Sequence, residues 1–376
     1  MCDYHKEKGA PQKRIGILGG YGSVGVEVAK SLMATTSHKI LLGGRNGEKL
    51  GLIVEKLGTG VASMVVDVYN QSALGEFCSR CDIVINCTGP SRQVACKVAL
   101  TALQQGCHYV DPADNSLYNA LIEKNEVVKQ KGLLFVISAG IIPGILEVLP
   151  MYLVNNKLDK AQSLEYYFVS YDRLSFSSAY DIICGFLSED DAGMVYYEDG
   201  RIKKSSFPMK NMCLPQPIGK VDTILTFTDS MKDVVEKCNV SKCHLYTALG
   251  GKSTRKALYD IRLSRQEKTE SQMASWSNLL VDAMDHDLND RKAGNMFHLI
   301  ITGEKGGVYK KLTATLFFKN GFRLMGIIAA STARLIIDGM GHDPGCFLLH
   351  KGIHIGKMME LLEESGICVS QSIETL

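Results

Sequence analysis

Arg14-Ile15-Gly16-Ile17-Leu18-Gly19-Gly20-Tyr21-Gly22-Ser23-Val24-Gly25 decides the fold. A short apolar run enters a glycine turn. Val26, Val28, Ala29, Leu32 and Met33 then leave it at helical spacing. Gly20, Gly22 and Gly25 fit G-x-G-x-x-G in its strand–turn–helix context. The first glycine makes the tight turn, the second admits a pyrophosphate close to the backbone, and the third lets helix and strand pack. The helix start offers free N–H donors and a positive dipole end to the phosphates. Gly20, Tyr21, Gly22, Ser23 and Val24 are therefore candidate cofactor contacts.

The second strand, residues 38–42, discriminates between dinucleotides. An NAD site places Asp or Glu about twenty residues past the glycines for the ribose 2′-hydroxyl. Here the strand runs into Gly43-Gly44-Arg45-Asn46, with no carboxylate until Glu48. A guanidinium pairs bidentately with a 2′-phosphate, which a carboxylate would repel. Gly44 and Arg45 thus point to NADP(H), the alternative being that Arg45 is a solvated loop residue.

The chain has 376 residues, enough for two domains with substantial cores. Lys and Arg number 42 against 40 Asp and Glu, a net charge of +2, so nothing calls for nucleic acid or an anionic membrane. Residues 1–13 are polar and charged, without a signal-peptide core, and no apolar run reaches membrane-spanning length. The 12 cysteines are scattered through apolar segments, which suits buried, reduced thiols. These features lead us to expect a cytoplasmic protein.

Two spacings invite a metal or redox reading. Cys78-Ser79-Arg80-Cys81 lacks a second pair at zinc-site spacing, and Gly352 between His350 and His354 argues against a helix presenting both. No metal site is expected.

The first 140 residues alternate strand and helix, the pattern of a doubly wound parallel α/β sheet. Strands are expected at 14–18, 38–42, 62–66, 82–86, 108–110 and 133–138, and helices at 22–33, 47–57, 71–78, 92–105 and 116–131. Ligands in such folds bind beyond the carboxyl ends of the strands. Four polar strand ends therefore matter: Asp67, Asn86 to Ser91, Asp111 to Asn115, and Ser138-Ala139-Gly140.

Three blocks, Gly19-Gly20-Tyr21-Gly22-Ser23-Val24-Gly25, Ile85-Asn86-Cys87-Thr88-Gly89-Pro90 and Gly106-Cys107-His108-Tyr109-Val110-Asp111, resemble the NADP-binding domain of the saccharopine dehydrogenase (reductase) family in order and spacing. Ala139-Gly140-Ile141-Ile142-Pro143-Gly144 resembles that family's loop leaving the Rossmann domain, and residues 321–367 resemble its C-terminus. The resemblance implies three parts: a Rossmann domain (1–143), an α+β substrate and dimerisation domain (144–324), and C-terminal helices (325–376) returning to the Rossmann domain.

The middle of the chain fits that plan on its own terms. Strands are expected at 162–171, 221–227, 244–249 and 257–263, with a hairpin over 195–203 about Glu198-Asp199-Gly200. Residues 266–286 space Met273, Trp276, Leu280 and Met284 as a helix. Residues 295–302 and 308–318 pair about Glu304-Lys305-Gly306-Gly307. A large antiparallel sheet of this kind suggests a homodimer.

The family's usual electrophile is an imine carbon, so the resemblance implies reduction or oxidation of a C–N bond with NADP(H) as hydride carrier. Asn86, Thr88, Gly89 and Pro90 would position the cofactor. Asp111 and Asp114 are candidate catalytic groups, with helix capping as their competing role. Tyr171, Asp172, Tyr180 and Asp181 are further candidates for acid or binding roles, alongside the weaker His244. Arg323 and Arg334 are candidates for a substrate carboxylate.

The chain departs from saccharopine-forming enzymes in having Ile142 before the Pro-Gly of the loop, no arginine cluster, and a length that looks short for their inserted domain. It looks more like the branch that includes thiazolinyl imine reductases of siderophore biosynthesis, acting on a small or carrier-protein-bound imine. A saccharopine-type amino-acid dehydrogenase and a non-catalytic NADP(H)-binding protein are the alternatives.

Overall fold

The computed structural model describes residues 12–113, 116–187, 193–264, 267–289 and 294–376. The first unit runs β1 (Arg14–Leu18), α1 (Ser23–Thr35), β2 (Lys39–Gly44), α2 (Gly47–Leu57), β3 (Val61–Val65), α3 (Gln71–Ser79), β4 (Ile83–Asn86), α4 (Ser91–Gln105), β5 (His108–Asp111), α5 (Ser116–Ile122), α6 (Asn125–Gln130) and β6 (Leu134–Ile137). All pairings among these strands are parallel, in the order β3-β2-β1-β4-β5-β6. The order reverses at β1, so the crevice at its carboxyl end lies between the β1–α1 and β4–α4 loops.

The helix expected over 116–131 is two helices. Asn125 Oδ1 accepts the amide of Cys346 at 2.8 Å, and Lys124 before it leaves helical geometry. That partner is 221 residues away, a contact the local sequence does not announce.

The second unit follows as α7 (Ile145–Lys157), β7 (Lys160–Tyr171), α8 (Phe176–Phe186), β8 (Val195–Glu198), β9 (Arg201–Lys204), β10 (Met209–Leu214), β11 (Gly219–Thr226), α9 (Asp229–Lys237), β12 (Lys242–Leu249), α10 (Lys252–Leu263), α11 (Glu270–Asn289), β13 (Gly294–Lys305) and β14 (Val308–Phe318). The return comprises α12 (Gly321–Ile337), β15 (Gly345–Leu348), α13 (Leu349–Gly352), α14 (Ile355–Glu364) and β16 (Ser370–Thr375). The second sheet is mixed, ordered β10-β11-β12-β7-β13-β14-β16, with the β8–β9 hairpin on β12. Asp199 and Gly200 both adopt positive φ at that hairpin's turn, the geometry its sequence favours.

Residues 257–263, expected as a strand, are the end of α10. Thr254, Ala257 and Ile261 form its buried face at i, i+3 and i+7. Its first turn is capped by Asp287 of α11, whose carboxylate accepts the amides of Gly251, Ser253 and Thr254 at 2.6, 3.0 and 2.9 Å. A cap delivered from another helix leaves no local signal.

The returning segment binds the two units together. Gly326 of α12 lies against α1 so closely that a β-carbon there would stand 2.6 Å from Glu27 Cβ and 2.8 Å from the Val28 amide. β15 pairs in parallel with β6, and β16 pairs antiparallel with β14. The last segment thus gives a strand to each sheet, in addition to the helices its sequence announces. One continuous core joins Ile15, Val28 and Ile85 to Leu149 of α7, Phe297 of β13 and Ile328 of α12. Among the described residues, no helix is long and apolar enough to cross a membrane.

Candidate functional site

The turn after β1 is held by its own backbone: Gly20 N–H donates to Gly43 O at 3.0 Å and Gly22 N–H to Gly19 O at 2.8 Å. A β-carbon at Gly25 would lie 2.3 Å from Gly19 O, and one at Gly20 would lie 2.8 Å from Leu42 Cβ, so neither tolerates a side chain. The helix ladder of α1 starts with Val26 N–H to Gly22 O, and no side chain caps the helix. Among the described residues the amides of Ser23, Val24 and Gly25 therefore meet the crevice without an acceptor. By contrast, Asn46 caps α2, Asn70 caps α3 and Ser175 caps α8. An open N-terminus beside a glycine turn fits a pyrophosphate.

Arg45 follows β2, exposed on the surface and without a hydrogen-bond partner among the described residues. Beside it the Tyr21 ring lies on Gly44, where a β-carbon would stand 2.5 Å from the ring. Lys49 Nζ sits 5.8 Å from the Tyr21 centroid. Two cations and a ring thus surround the place where a 2′-phosphate and an adenosine would lie, which fits NADP(H). Asp67, also exposed, accepts the Tyr69 amide at 3.0 Å and turns the chain after β3.

The end of β4 is organised by a buried network. Asp111 Oδ2 accepts Tyr109 OH at 2.6 Å and Asn86 Nδ2 at 3.1 Å, and Asp111 Oδ1 accepts the Ala113 amide at 2.8 Å. Asn86 Oδ1 in turn accepts both the Thr88 amide and the Thr88 hydroxyl. Burial and the Asp111 carboxylate push the Tyr109 phenol well up, so it stays a donor. Asp111 is only 1 % exposed. It therefore acts here by setting Asn86 and the Thr88-Gly89-Pro90 segment, its carboxylate already engaged. Tyr109 was missed from sequence, although residues two apart on a strand share a face and Asp111 marked it. Asp114 and Asn115 lie outside the described residues.

The remaining candidates separate. Asp172, at the end of β7, accepts the Gly321 amide at 2.6 Å, Asn295 Nδ2 at 2.8 Å and its neighbour Arg173's amide at 2.8 Å, so it joins β7, β13 and α12. Tyr171 is buried in the second sheet's core. Tyr180 OH accepts Gln93 Nε2 at 3.2 Å, and Asp181 Oδ2 accepts the Ser91 amide at 3.0 Å, both across to α4. His244 stacks on Tyr196 at 4.8 Å near the opposite end of β12, and burial holds its pKa down. Arg323 is exposed in the first turn of α12, next to Gly321. Arg334 lies three turns further along that helix, about 16 Å away by helical rise, and is not brought to the same place.

The crevice at the ends of β4–β6 meets the second unit through Ser138 to Gly144, whose Ile142 is 38 % exposed, and through Phe176 and Ser177 of α8. Gly144 N–H donates to Glu147 Oε2 at 2.6 Å, and Glu147 Oε1 accepts Ser230 Oγ at 2.6 Å. Complete burial pushes the Glu147 carboxyl up to about 7. Of the CxxC thiols Cys78 is buried and Cys81 partly so: Cys107 Sγ donates to the carbonyls of both, and burial pushes Cys78 up to about 12 and raises Cys81 too. Thiols so desolvated are poor nucleophiles. Among the described residues no three or more His, Cys, Asp or Glu converge as a metal site.

Glycine turn, open helix start and unpaired arginine define the first unit as a dinucleotide-binding Rossmann domain, joined to an α+β unit that closes over its crevice. Residues 15–136 match the model described as the saccharopine dehydrogenase NADP binding domain, so this part of the chain is similar to that domain and is an NADP(H)-binding unit. The chain is also 28% identical over 139 residues to the saccharopine dehydrogenase-like oxidoreductase of Rattus norvegicus, a match covering 33% of this chain and 32% of that protein. The match thus spans about a third of that relative's length. In architecture the chain is similar to apo saccharopine dehydrogenase (L-Glu forming) from Saccharomyces cerevisiae: TM-score 0.72, 16% identity, covering 96% of this chain and 100% of that one. At that identity the likeness shows the fold. It also corrects one expectation: the chain is not short beside that protein, whose whole length it covers.

Proposed function

We propose that the chain is an NADPH-dependent oxidoreductase that reduces a C=N bond, of thiazoline type or a related imine, in a small or carrier-bound metabolite. The observation that carries the reading is the uncapped α1 start and unpaired Arg45 beside a crevice covered by the second unit. NADPH, when bound, supplies the hydride. The amides of Ser23, Val24 and Gly25 would hold its pyrophosphate, and Arg45 its 2′-phosphate. The segment after β4, set by Asn86 and Asp111, would orient the nicotinamide side.

The imine reading draws on how the carboxylates are used. Asp111 and Asp172 are committed to hydrogen bonds from amides and neighbouring side chains. An imine nitrogen takes its proton from water near neutral pH, so this reduction asks less of an enzyme acid than carbonyl reduction does. Ile141 and the exposed Ile142 and Phe176 put apolar surface beside the crevice, which favours a weakly charged substrate. Cytoplasmic location and a homodimer are further parts of this proposal.

The test is NADPH oxidation, followed at the nicotinamide absorbance, with a panel of thiazoline-type imines and, separately, with an amine plus a 2-oxo acid. NADH serves as the control. Turnover on imines alone supports the proposal. Turnover on the amine–oxo-acid pair replaces it with the saccharopine-type reading, and NADPH binding without turnover on either leaves a binding protein.

A further inference from the structure

The segment after β4 is gripped from the other unit. Within five residues it meets α8 three times: Ser177 at Gly89, Asp181 at the Ser91 amide, and Tyr180 at Gln93. The first contact is tight, since a β-carbon on Gly89 would stand 2.8 Å from Ser177 Cβ. Helix α4 begins after Pro90, which has no side-chain acceptor; the Gln93 amide bonds back to Pro90 O at 3.1 Å, and the Ser91 amide has no local cap. The carboxylate arrives instead from a residue 90 positions later in the chain. Such a bond is charge-assisted and favoured by the helix dipole. The two helix starts facing the crevice thus differ: that of α1 is left open, and that of α4 is filled by Asp181.

We infer that Asp181 is a positioning residue for the nicotinamide half of NADP(H). By fixing the backbone from Gly89 to Ser91 it makes affinity for that half depend on the second unit. Affinity for the adenosine half, held at α1 and Arg45, does not depend on it. This rests on the cofactor placement above. It also gives Asp181 a role other than that of an acid acting on substrate.

The test compares two ligands on the full chain by calorimetric titration: NADPH, and 2′-phospho-ADP-ribose, which lacks the nicotinamide. In Asp181→Ala, NADPH should bind about tenfold more weakly, the scale of one lost hydrogen bond, with 2′-phospho-ADP-ribose unchanged within about twofold. Asp181→Asn should restore most of the loss, because its amide oxygen still accepts the Ser91 N–H. Gly89→Ala, which presses on Ser177 from the other side, should reproduce the selective loss if the alanine variant at 181 fails to fold. Equal weakening of both ligands would mark Asp181 as merely structural and overturn the inference. So would unchanged NADPH affinity, or a wild-type chain that binds the two ligands equally. If wild type binds neither, it is the cofactor placement itself that fails.

Discussion

Two single residues lend themselves to direct measurement. Arg45 has an unpaired guanidinium where a 2′-phosphate would lie. A charged hydrogen-bond pair contributes about 1.5–3 kcal/mol, so Arg45→Asp should weaken NADPH binding by roughly 10- to 100-fold, with NADH affinity unchanged or improved. Glu147 is the second. Its carboxyl, raised to about 7 by burial, is preferred neutral by the fold and titrates near its ordinary value once unfolded. Its contribution is therefore complete below about pH 4.5 and fades as the pH rises through about 7. The total lost is on the order of 3 kcal/mol. Glu147→Gln keeps an acceptor for Gly144 and lets Ser230 donate to Thr228 instead. Denaturant melts at pH 5 and pH 8 should show the variant close to wild type at the lower pH and more stable at the higher. A constant difference between the two would refute the assignment.

Among the elements, α12 of the returning segment packs at close range on α1. Gly326 leaves no room for a side chain against Glu27 and Val28. Gly326→Val must push the helices apart or distort one of them, an overpacking cost of about 1–3 kcal/mol, read as a lower denaturation midpoint. If the midpoint does not fall, the close approach is not what holds these helices. The elements also differ in how openly they declare themselves. β1 and α1 follow from an apolar run, a glycine turn and helical spacing, all within twenty residues. The start of α10 is capped by Asp287, and Asn125 at the start of α6 is engaged by the Cys346 amide. Both contacts are hydrogen bonds to residues distant in sequence, and sequence periodicity does not announce either.

For the whole molecule, the shared core has a consequence for folding. The strands from β1 to β6 form a recognisable nucleotide-binding unit, yet the outer face of α1 is covered by α12, and β15 completes the sheet beside β6. Cut from the rest, that piece would expose apolar surface and an unpaired edge. We expect the isolated segment 1–143 not to fold stably or bind NADPH. The full chain should unfold in one transition that coincides by near-ultraviolet circular dichroism and by loss of NADPH binding. Saturating NADPH should raise the midpoint, by the linkage of binding to folding. Two separated transitions would show that the units are energetically independent.

What the sequence determined by itself is the nucleotide half: the glycine turn, the arginine after β2 and the strand–helix alternation each act within a few residues, and backbone sterics and hydrogen-bonding geometry do the rest. Tertiary structure alone decided what the polar residues beyond β4 do. Asp111 is a buried organiser because Tyr109 and Asn86 fold onto it, and Asp172 is a junction because Gly321 and Asn295 reach it. Asp181 caps a helix in the other unit. A carboxylate's role follows from which donors surround it: Asp111 draws Tyr109 from its own strand but Asn86 from another, and for Asp172 and Asp181 the donors come from parts of the chain that only folding brings together.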